Sequence, residues 1–307
     1  NNMHTRTVTH RMLCFVAFFL LFATAKAQTG PQEAPVNPAF KQFMDLQQAG
    51  KRTLTTPEGY ALGHIPPVSR PFFHATQKTG RTLPSSYDLR GTGQLTSVKN
   101  QSTCGSCWTF ATMAAVEARM LSQSSVTYDL SEDNLNNCHP YDWAPCEGGN
   151  FSISTAMFSN LHGPYSEADD PYSGTSDNSC PTGLSPQFYV TDAWQANPDD
   201  INAVKQALYD YGAMYVSMYW YDDAYNSSDY TYFYSGAGDG IDGGGGHAVT
   251  LVGWDDNKAT AADQDGAWII KNSWGEYWGE SGYFYISYYD SSALSSAGFF
   301  PNSLPYN

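Results

Sequence analysis

Positive charge is scarce in this chain. Its 307 residues include 15 Lys and Arg against 30 Asp and Glu, for a formal net charge of −15. Nine of the basic residues and three of the acidic ones fall within 1–82, which leaves six basic and 27 acidic residues for 83–307. So lean a supply of cations excludes a phosphate-binding face, and with it nucleic acid as a partner. Long apolar runs are scarce too. Leu13–Ala23 (LCFVAFFLLFA) is the one uninterrupted run, and it is too short to cross a bilayer comfortably. Cysteine is limited to six residues, without the compact four-ligand spacing of a structural zinc site. No internal repeat is present, and no cofactor or metal is expected.

What is there begins with an export signature. Arg6 and Arg11 precede the apolar run, and Ala25-Lys26-Ala27 follows it as a small-x-small cleavage site. Residues 1–27 read as a signal peptide and the exported chain as beginning near Gln28. Export predicts an extracellular, lysosome- or vacuole-like, or periplasmic compartment, with no membrane attachment once the signal is removed. Residues 28–82 form a distinct segment rich in Pro, Thr and Gln. One helix is predicted at Pro38–Ala49, where Phe40, Phe43, Met44 and Leu46 share a face. The stretch from Pro57 to Pro71 reads as extended chain. Too few apolar residues are present for this segment to fold alone. Its basic character against the acidic body suggests electrostatic docking, with Lys41, Lys51, Arg52 and Arg70 as contributors.

Export also makes the cysteine count informative. Cys14 leaves with the signal peptide, and Cys104, Cys107, Cys138, Cys146 and Cys180 remain. In an oxidising compartment five cysteines give two disulfides, in any of three connectivities once the free thiol is chosen, and one thiol left over.

Downstream of Leu83, Cys107 to about Leu121 is the best helix: Ala-rich, with Phe110, Ala114, Ala118 and Leu121 on one face. Further helices are predicted at 131–137, 153–161 and 199–210. Strands follow at 215–221, 247–254, 267–271 and 282–289, where Val, Ile, Tyr and Phe partly alternate between Gly- and Asp-rich turns. Helices first and antiparallel strands later predict an α+β fold of two subdomains with a cleft between them. The acidic stretch 255–265 reads as a solvated hairpin, and the Tyr-rich stretch 219–234 as surface packing.

A cysteine in the first turn of a helix is an activated nucleophile, because the unpaired N–H groups and the macrodipole favour the thiolate. Cys107 stands at that place. Gln101, six residues earlier, could turn its amide back toward the same point and, with the Cys107 N–H, form a two-donor oxyanion hole. Among the seven histidines, His247 stands apart. It opens an apolar strand directly after Gly243–Gly246, where no side chain blocks approach to a cleft. His64 and His74 fall in the leader, and His139 and His162 in polar loops. The Cys104-Gly-Ser-Cys107 spacing also fits a redox dithiol, but no apolar strand precedes it.

With these residues in hand, the chain resembles the papain family of cysteine proteases. Gln101-Ser-Thr-Cys-Gly-Ser-Cys-Trp108 is similar to that family's active-site stretch, and His247-Ala248 and Asn272-Ser273-Trp274-Gly275 to its other two blocks. The likeness covers 83–307 and implies a helical N-terminal half, a β-barrel-like C-terminal half, and the cleft between them. It implies Cys107 as nucleophile, His247 as its imidazolium partner, Asn272 as the group orienting His247, Trp274 as a shield over that bond, and Gln101 in the oxyanion hole. Gly148, Gly149, Asn150 and Ser217 would line the substrate cleft. Cys104 would pair with Cys146 and Cys138 with Cys180, leaving Cys107 free. Leu83-Pro-Ser-Ser-Tyr-Asp88 resembles the start of a mature enzyme, so residues 28–82 would be an inhibitory prosegment released by cleavage near Arg81–Leu83, with Gly59–Pro67 lying across the cleft. The activity implied is endopeptidase hydrolysis of peptide or protein substrates by a monomer through an acyl-enzyme.

Overall fold

A computed structural model describes residues 36–68, 81–176, 180–238, 240 and 243–305. The expected signal peptide, its cleavage site and Arg70 lie outside the described residues.

Five α-helices are formed: α1 Pro38–Gln48, α2 Cys107–Ser124, α3 Glu132–Asn137, α4 Phe151–Ser159 and α5 Ile201–Tyr211. Their starts follow from local chemistry. The side chains of Asn37, Ser131, Asn150 and Asp200 each accept a backbone N–H of the first turn, as preferred N-cap residues do. These caps move the starts of α4 and α5 by about two residues from the sequence expectation. Helix α2 differs in kind from its prediction. Its Ala-rich sequence does form the longest helix, but 13 of its 18 residues are buried, including Thr109, Thr112 and Glu117. It is a core helix enclosed on nearly all sides, which a one-sided apolar stripe does not describe.

The strands are β1 Ser86–Asp88, β2 Phe188–Val190, β3 Trp194–Gln195, β4 Met214–Trp220, β5 Tyr225–Asn226, β6 Thr231–Tyr232, β7 Gly245–Asp255, β8 Ala267–Lys271, β9 Tyr283–Ser287, β10 Ala293–Phe299 and β11 Ser303–Pro305. The main sheet runs β3-β10-β4-β7-β8-β9-β6-β5. Strand β7 is its spine: it pairs with β4 over 245–251 and with β8 over 250–255, and β1 continues beside it at 253–255. Its burial is continuous rather than alternating, because one face carries the sheet's own core and the other packs on α2. Trp254, Leu251, Phe284 and Tyr232 belong to the first of these cores; Trp108, Met113, Leu135 and Phe158, with Tyr215 and Ala248 from the sheet, belong to the second. Strand β10 escaped the sequence reading. Its Ser, Ala and Gly have low strand propensity, and it forms because β4 and β3 pair on either side of it.

The disulfides are Cys104–Cys146 and Cys138–Cys180, and Cys107 is the free, buried cysteine. The first ties the loop before α2 to the segment before α4, and the second ties the end of α3 to the segment between α4 and β2. The Asp255–Asp265 stretch makes a hairpin between β7 and β8, closed by Gly266 N–H donating to Lys258 O at 2.9 Å. The Tyr-rich stretch is partly internal: Tyr232 is fully buried and Tyr221 stacks on Tyr234 with centroids 3.7 Å apart.

A buried ionic cluster fastens the helical layer to the loop that precedes α2. Lys99 Nζ reaches Glu117 at 3.2 Å, Glu132 at 2.9 Å and Asp129 at 2.8 Å. Glu117 also accepts from Leu130 N–H at 2.9 Å and from Thr96. Burial opposes the Lys99 charge, but Glu132 and Glu117 outweigh it and keep the ammonium protonated. Lys271, just before Asn272, is anchored to Thr96 O at 3.0 Å. Removing the shared cation would strand two carboxylates that are almost wholly buried. Lys99→Met is therefore expected to lower unfolding free energy by about 3 kcal/mol, the low end for breaking a buried pair because Lys99 keeps some contact with water. Denaturant melts of the two proteins measure it, and a loss below about 1 kcal/mol would show that the cluster relaxes without cost.

Candidate active site

The helical layer and the sheet meet where α2 begins. Cys107, at the first position of α2, and His247, three residues into β7, are both fully buried. Ala248 N–H donates to Cys107 Sγ at 3.3 Å, seating the sulfur against the strand that carries His247. Behind His247, its Nε2 lies 2.9 Å from Asn272 Oδ1. That oxygen also accepts Ser273 N–H at 2.8 Å, so it is an acceptor and Nε2 must carry the proton. Nδ1 is then the lone-pair nitrogen, buried and without a hydrogen-bond partner. This tautomer is the one a base acting on the neighbouring thiol requires.

Trp274 is 3% exposed and stacks on the His247 ring with centroids 4.6 Å apart, closing the His247–Asn272 bond from water. Gln101 is fixed at both ends of its amide. Ser273 Oγ donates to its Oε1 at 2.7 Å, which turns the NH2 toward the cleft, where Nε2 donates to Cys104 O at 2.9 Å and to Ala61 O at 3.1 Å. Ser273 and Tyr172, whose hydroxyl donates to Gln101 O at 2.8 Å, were not found from sequence. No spacing signal marks a residue that acts by bracing another.

The segment before Leu83 lies in this site. Residues Ala61–Ile65 are buried. Gly149 N–H donates to Gly63 O at 2.8 Å and Ile65 N–H to Gly149 O at 2.9 Å, a parallel bridge centred on His64. On the opposite wall His64 N–H donates to Gly246 O at 2.8 Å. The glycines are required by contact distance. A Cβ at Gly149 would fall 2.4 Å from the Trp108 ring, one at Gly148 2.5 Å from Gly63 O, and one at Gly246 2.2 Å from His64 O. Tyr60 stacks on Trp274 at 4.8 Å, with the two rings tilted by 13°. Helix α1 docks through Phe43, which meets Trp143 edge-on at 5.9 Å and carries the Arg52 guanidinium 4.4 Å from its ring centroid.

Of the basic residues expected to steer this docking, Arg52 reaches the Glu147 carbonyl. Arg81, at the end of this segment, pairs with Asp210 at 3.2 Å, and the other described contacts with the body are mostly main-chain, apolar or between neutral polar groups. Asn150 and Ser217 sit beside the cleft, but both side chains are engaged. Asn150 Oδ1 caps α4 through Ile153 N–H at 3.1 Å, and Ser217 Oγ lies 2.8 Å from Ser295 Oγ.

Enclosure decides the electrostatics. Burial pushes the Cys107 thiol up to about 12, although N–H groups of Ala248, Gly63, Trp108 and Cys107 itself favour the thiolate. Burial pulls His247 down to about 4, against the support of Asn272. The sequence led to the expectation of a lowered thiol from the helix N-terminus alone. With the cleft covered, desolvation is the larger effect and the pair is held neutral.

A sequence model described as papain family cysteine protease matches residues 83–298. The chain is 34% identical over 207 residues to the KDEL-tailed cysteine endopeptidase CEP2 of Arabidopsis thaliana, an alignment covering 66% of this chain and 54% of that protein. It thus spans about half the length of that plant relative. Among solved structures, it resembles the cysteine protease and lectin-like domains of Cwp84 from Clostridium difficile, with a TM-score of 0.76 and 25% identity over 90% of this chain and 62% of that one. The clostridial protease Cwp84 after propeptide cleavage matches with a TM-score of 0.67 and 27% identity over 73% of this chain and 59% of that one.

The cover over Cys107 can be displaced by one methyl group. A Cβ on Gly63 would lie 1.9 Å from Gly105 O, a backbone atom that cannot yield. Gly63→Ala is expected to speed alkylation of Cys107 by iodoacetamide at pH 7 by at least about tenfold, because the thiol regains water and its thiolate fraction rises. Mass spectrometry over time measures it. An unchanged rate would mean that residues 61–65 do not mask the thiol.

Proposed function

Because the chain belongs to the papain family of cysteine proteases, we propose that it is an exported cysteine endopeptidase made as a zymogen, with residues 28–82 as prosegment and 83–307 as the peptidase domain. Once the cleft is open, Cys107 passes its proton to His247 Nδ1 and the sulfur attacks the scissile carbonyl carbon. The carbonyl oxygen takes up the negative charge, stabilised by Gln101 Nε2–H and the Cys107 N–H. The His247 imidazolium, held by Asn272, then protonates the departing amine as the C–N bond breaks. Water, activated by the same imidazole, hydrolyses the thioester and frees Cys107. Gly149 offers its N–H and C=O to the extended substrate on one wall and Gly246 its C=O on the other.

One observation carries this reading: the prosegment already occupies the Gln101 amide and the main-chain groups of Gly149 and Gly246 that a substrate would use. Ala61 O takes the Gln101 amide, Gly63 and Ile65 take Gly149, and His64 takes Gly246. The Gly63 N–H donates to the Cys107 sulfur, so the bound segment presents it with a hydrogen-bond donor. The bound segment is therefore an occupant that blocks the cleft. The two disulfides support an oxidising destination.

The test is to express residues 28–307 with and without Cys107→Ala and incubate both at mildly acidic pH with a thiol reductant. Mass and hydrolysis of a mixed peptide library are then followed. The wild type is expected to lose the prosegment and cleave peptides, and the variant to do neither. Cleavage by both would remove Cys107 from the role of nucleophile.

Acid should loosen the prosegment through His64. Burial, with a smaller contribution from His247, pulls docked His64 down to about 3. Tyr215, Tyr219, His247 and Arg52 are titratable groups around it. An undocked histidine titrates at roughly 6.5. The docked state therefore binds fewer protons, so docking is strongest above about 6.5 and weakens as the pH falls toward 3, by up to about tenfold per unit. Inhibition by an added peptide of residues 36–68 is expected to follow this slope, and the His64→Gln peptide to give a flatter one. Parallel slopes would assign the acid response elsewhere.

A further inference from the structure

The specificity pocket beside Gly149 is filled by a side chain of the chain itself. His64 is bridged to Gly149, is 3% exposed, and places Nδ1 3.2 Å from the hydroxyl of Tyr215. Tyr215 is fully buried on β4, two residues from Ser217 and on the same face of the strand. Its hydroxyl receives the Phe151 N–H, one of the unpaired donors in the first turn of α4. With its oxygen so engaged, the phenolic O–H is turned outward as a donor. Burial keeps it protonated by raising it well above the usual tyrosine value. The nearby Ser217 and Asn150 side chains are committed to Ser295 and Ile153. Tyr215 is thus the group whose partner leaves with the prosegment, and the pocket belongs to the body and stays.

Resting on the peptidase reading above, we propose that Tyr215 is a specificity-determining residue. Its buried hydroxyl selects substrates that present a flat side chain with a hydrogen-bond acceptor, neutral histidine foremost, at the position paired with Gly149. An apolar side chain of similar size would fill the same space but leave a buried donor unpaired. A site built around a buried polar group rejects the analogue that cannot bond to it. Histidine should therefore be preferred over phenylalanine or leucine there by about tenfold in kcat/KM, the size of one such hydrogen bond.

Peptides varied one position at a time on the acyl side of the scissile bond test this at pH 7.5. In the wild type, one position is expected to show the histidine advantage. In Tyr215→Phe the His-to-Phe ratio at that position should fall to about one. At pH 5 the wild-type ratio should fall as well, because a protonated imidazole no longer accepts. A ratio near one at every position in the wild type, or an unchanged ratio in Tyr215→Phe, overturns the assignment. If the wild type cleaves no peptide, the peptidase reading fails and the pocket is judged separately on the full chain. There, His64→Phe, Tyr215→Phe and the double variant are compared by melting temperature. Non-additive losses support the bond between the two rings' polar atoms, and additive losses overturn it.

Discussion

Everything in this molecule depends on the contact between the start of α2 and strand β7. It joins residues 141 positions apart through one N–H donated from Ala248 to the Cys107 sulfur. Neither half carries a reactive pair alone. The helical layer supplies a thiol at a helix N-terminus, the sheet supplies an imidazole with its tautomer fixed by Asn272, and close packing of α2 on β4 and β7 sets the distance between them. The same packing explains why α2 is buried on nearly all sides and why its Glu117 has to be answered by Lys99.

The chain covers that contact with its own backbone. Residues 61–65 lie between glycines on both walls, and a side chain at Gly148 or Gly246 would push them out. This docking relies on main-chain bonds and on Phe43, Tyr60, Leu62 and Ile65, with Arg52 adding a cation over Phe43. The charge contrast between leader and body invites an electrostatic account, yet the described contacts are mostly neutral. Water is excluded as a result, and desolvation reverses the balance at the dyad. A thiol that a helix N-terminus would acidify is made less acidic, and an imidazole that Asn272 would make more basic is made less so. In the proposed zymogen, inhibition and protection of the thiol from chemistry are then one physical effect.

Much of this was legible in the chain. The α2 helix and all four predicted strands, to within a residue or two at each end, rest on local residue types and on order along the chain, as does the choice of Cys107, His247, Asn272, Gln101 and Trp274, which the fold brings together. The odd cysteine count required a free thiol before any pairing was known. What escaped has a common cause. Strand β10 is made of residues that do not favour strands and exists through its neighbours. Ser273 and Tyr172 act by holding Gln101, and His64 looked like an ordinary residue of a polar leader until it was seen buried against Tyr215.

Local residue patterns carried the candidate chemistry: a cysteine at a helix start, a histidine after four glycines, an asparagine farther on, and a leader of low apolar content. Each of these is a property of residues near one another in the chain. Only the tertiary structure decided the direction in which the leader crosses the cleft, the neutral state of the covered dyad, and the polar floor that Tyr215 gives the pocket. Those depend on burial and on distances between residues far apart in sequence, and local patterns carry no record of either.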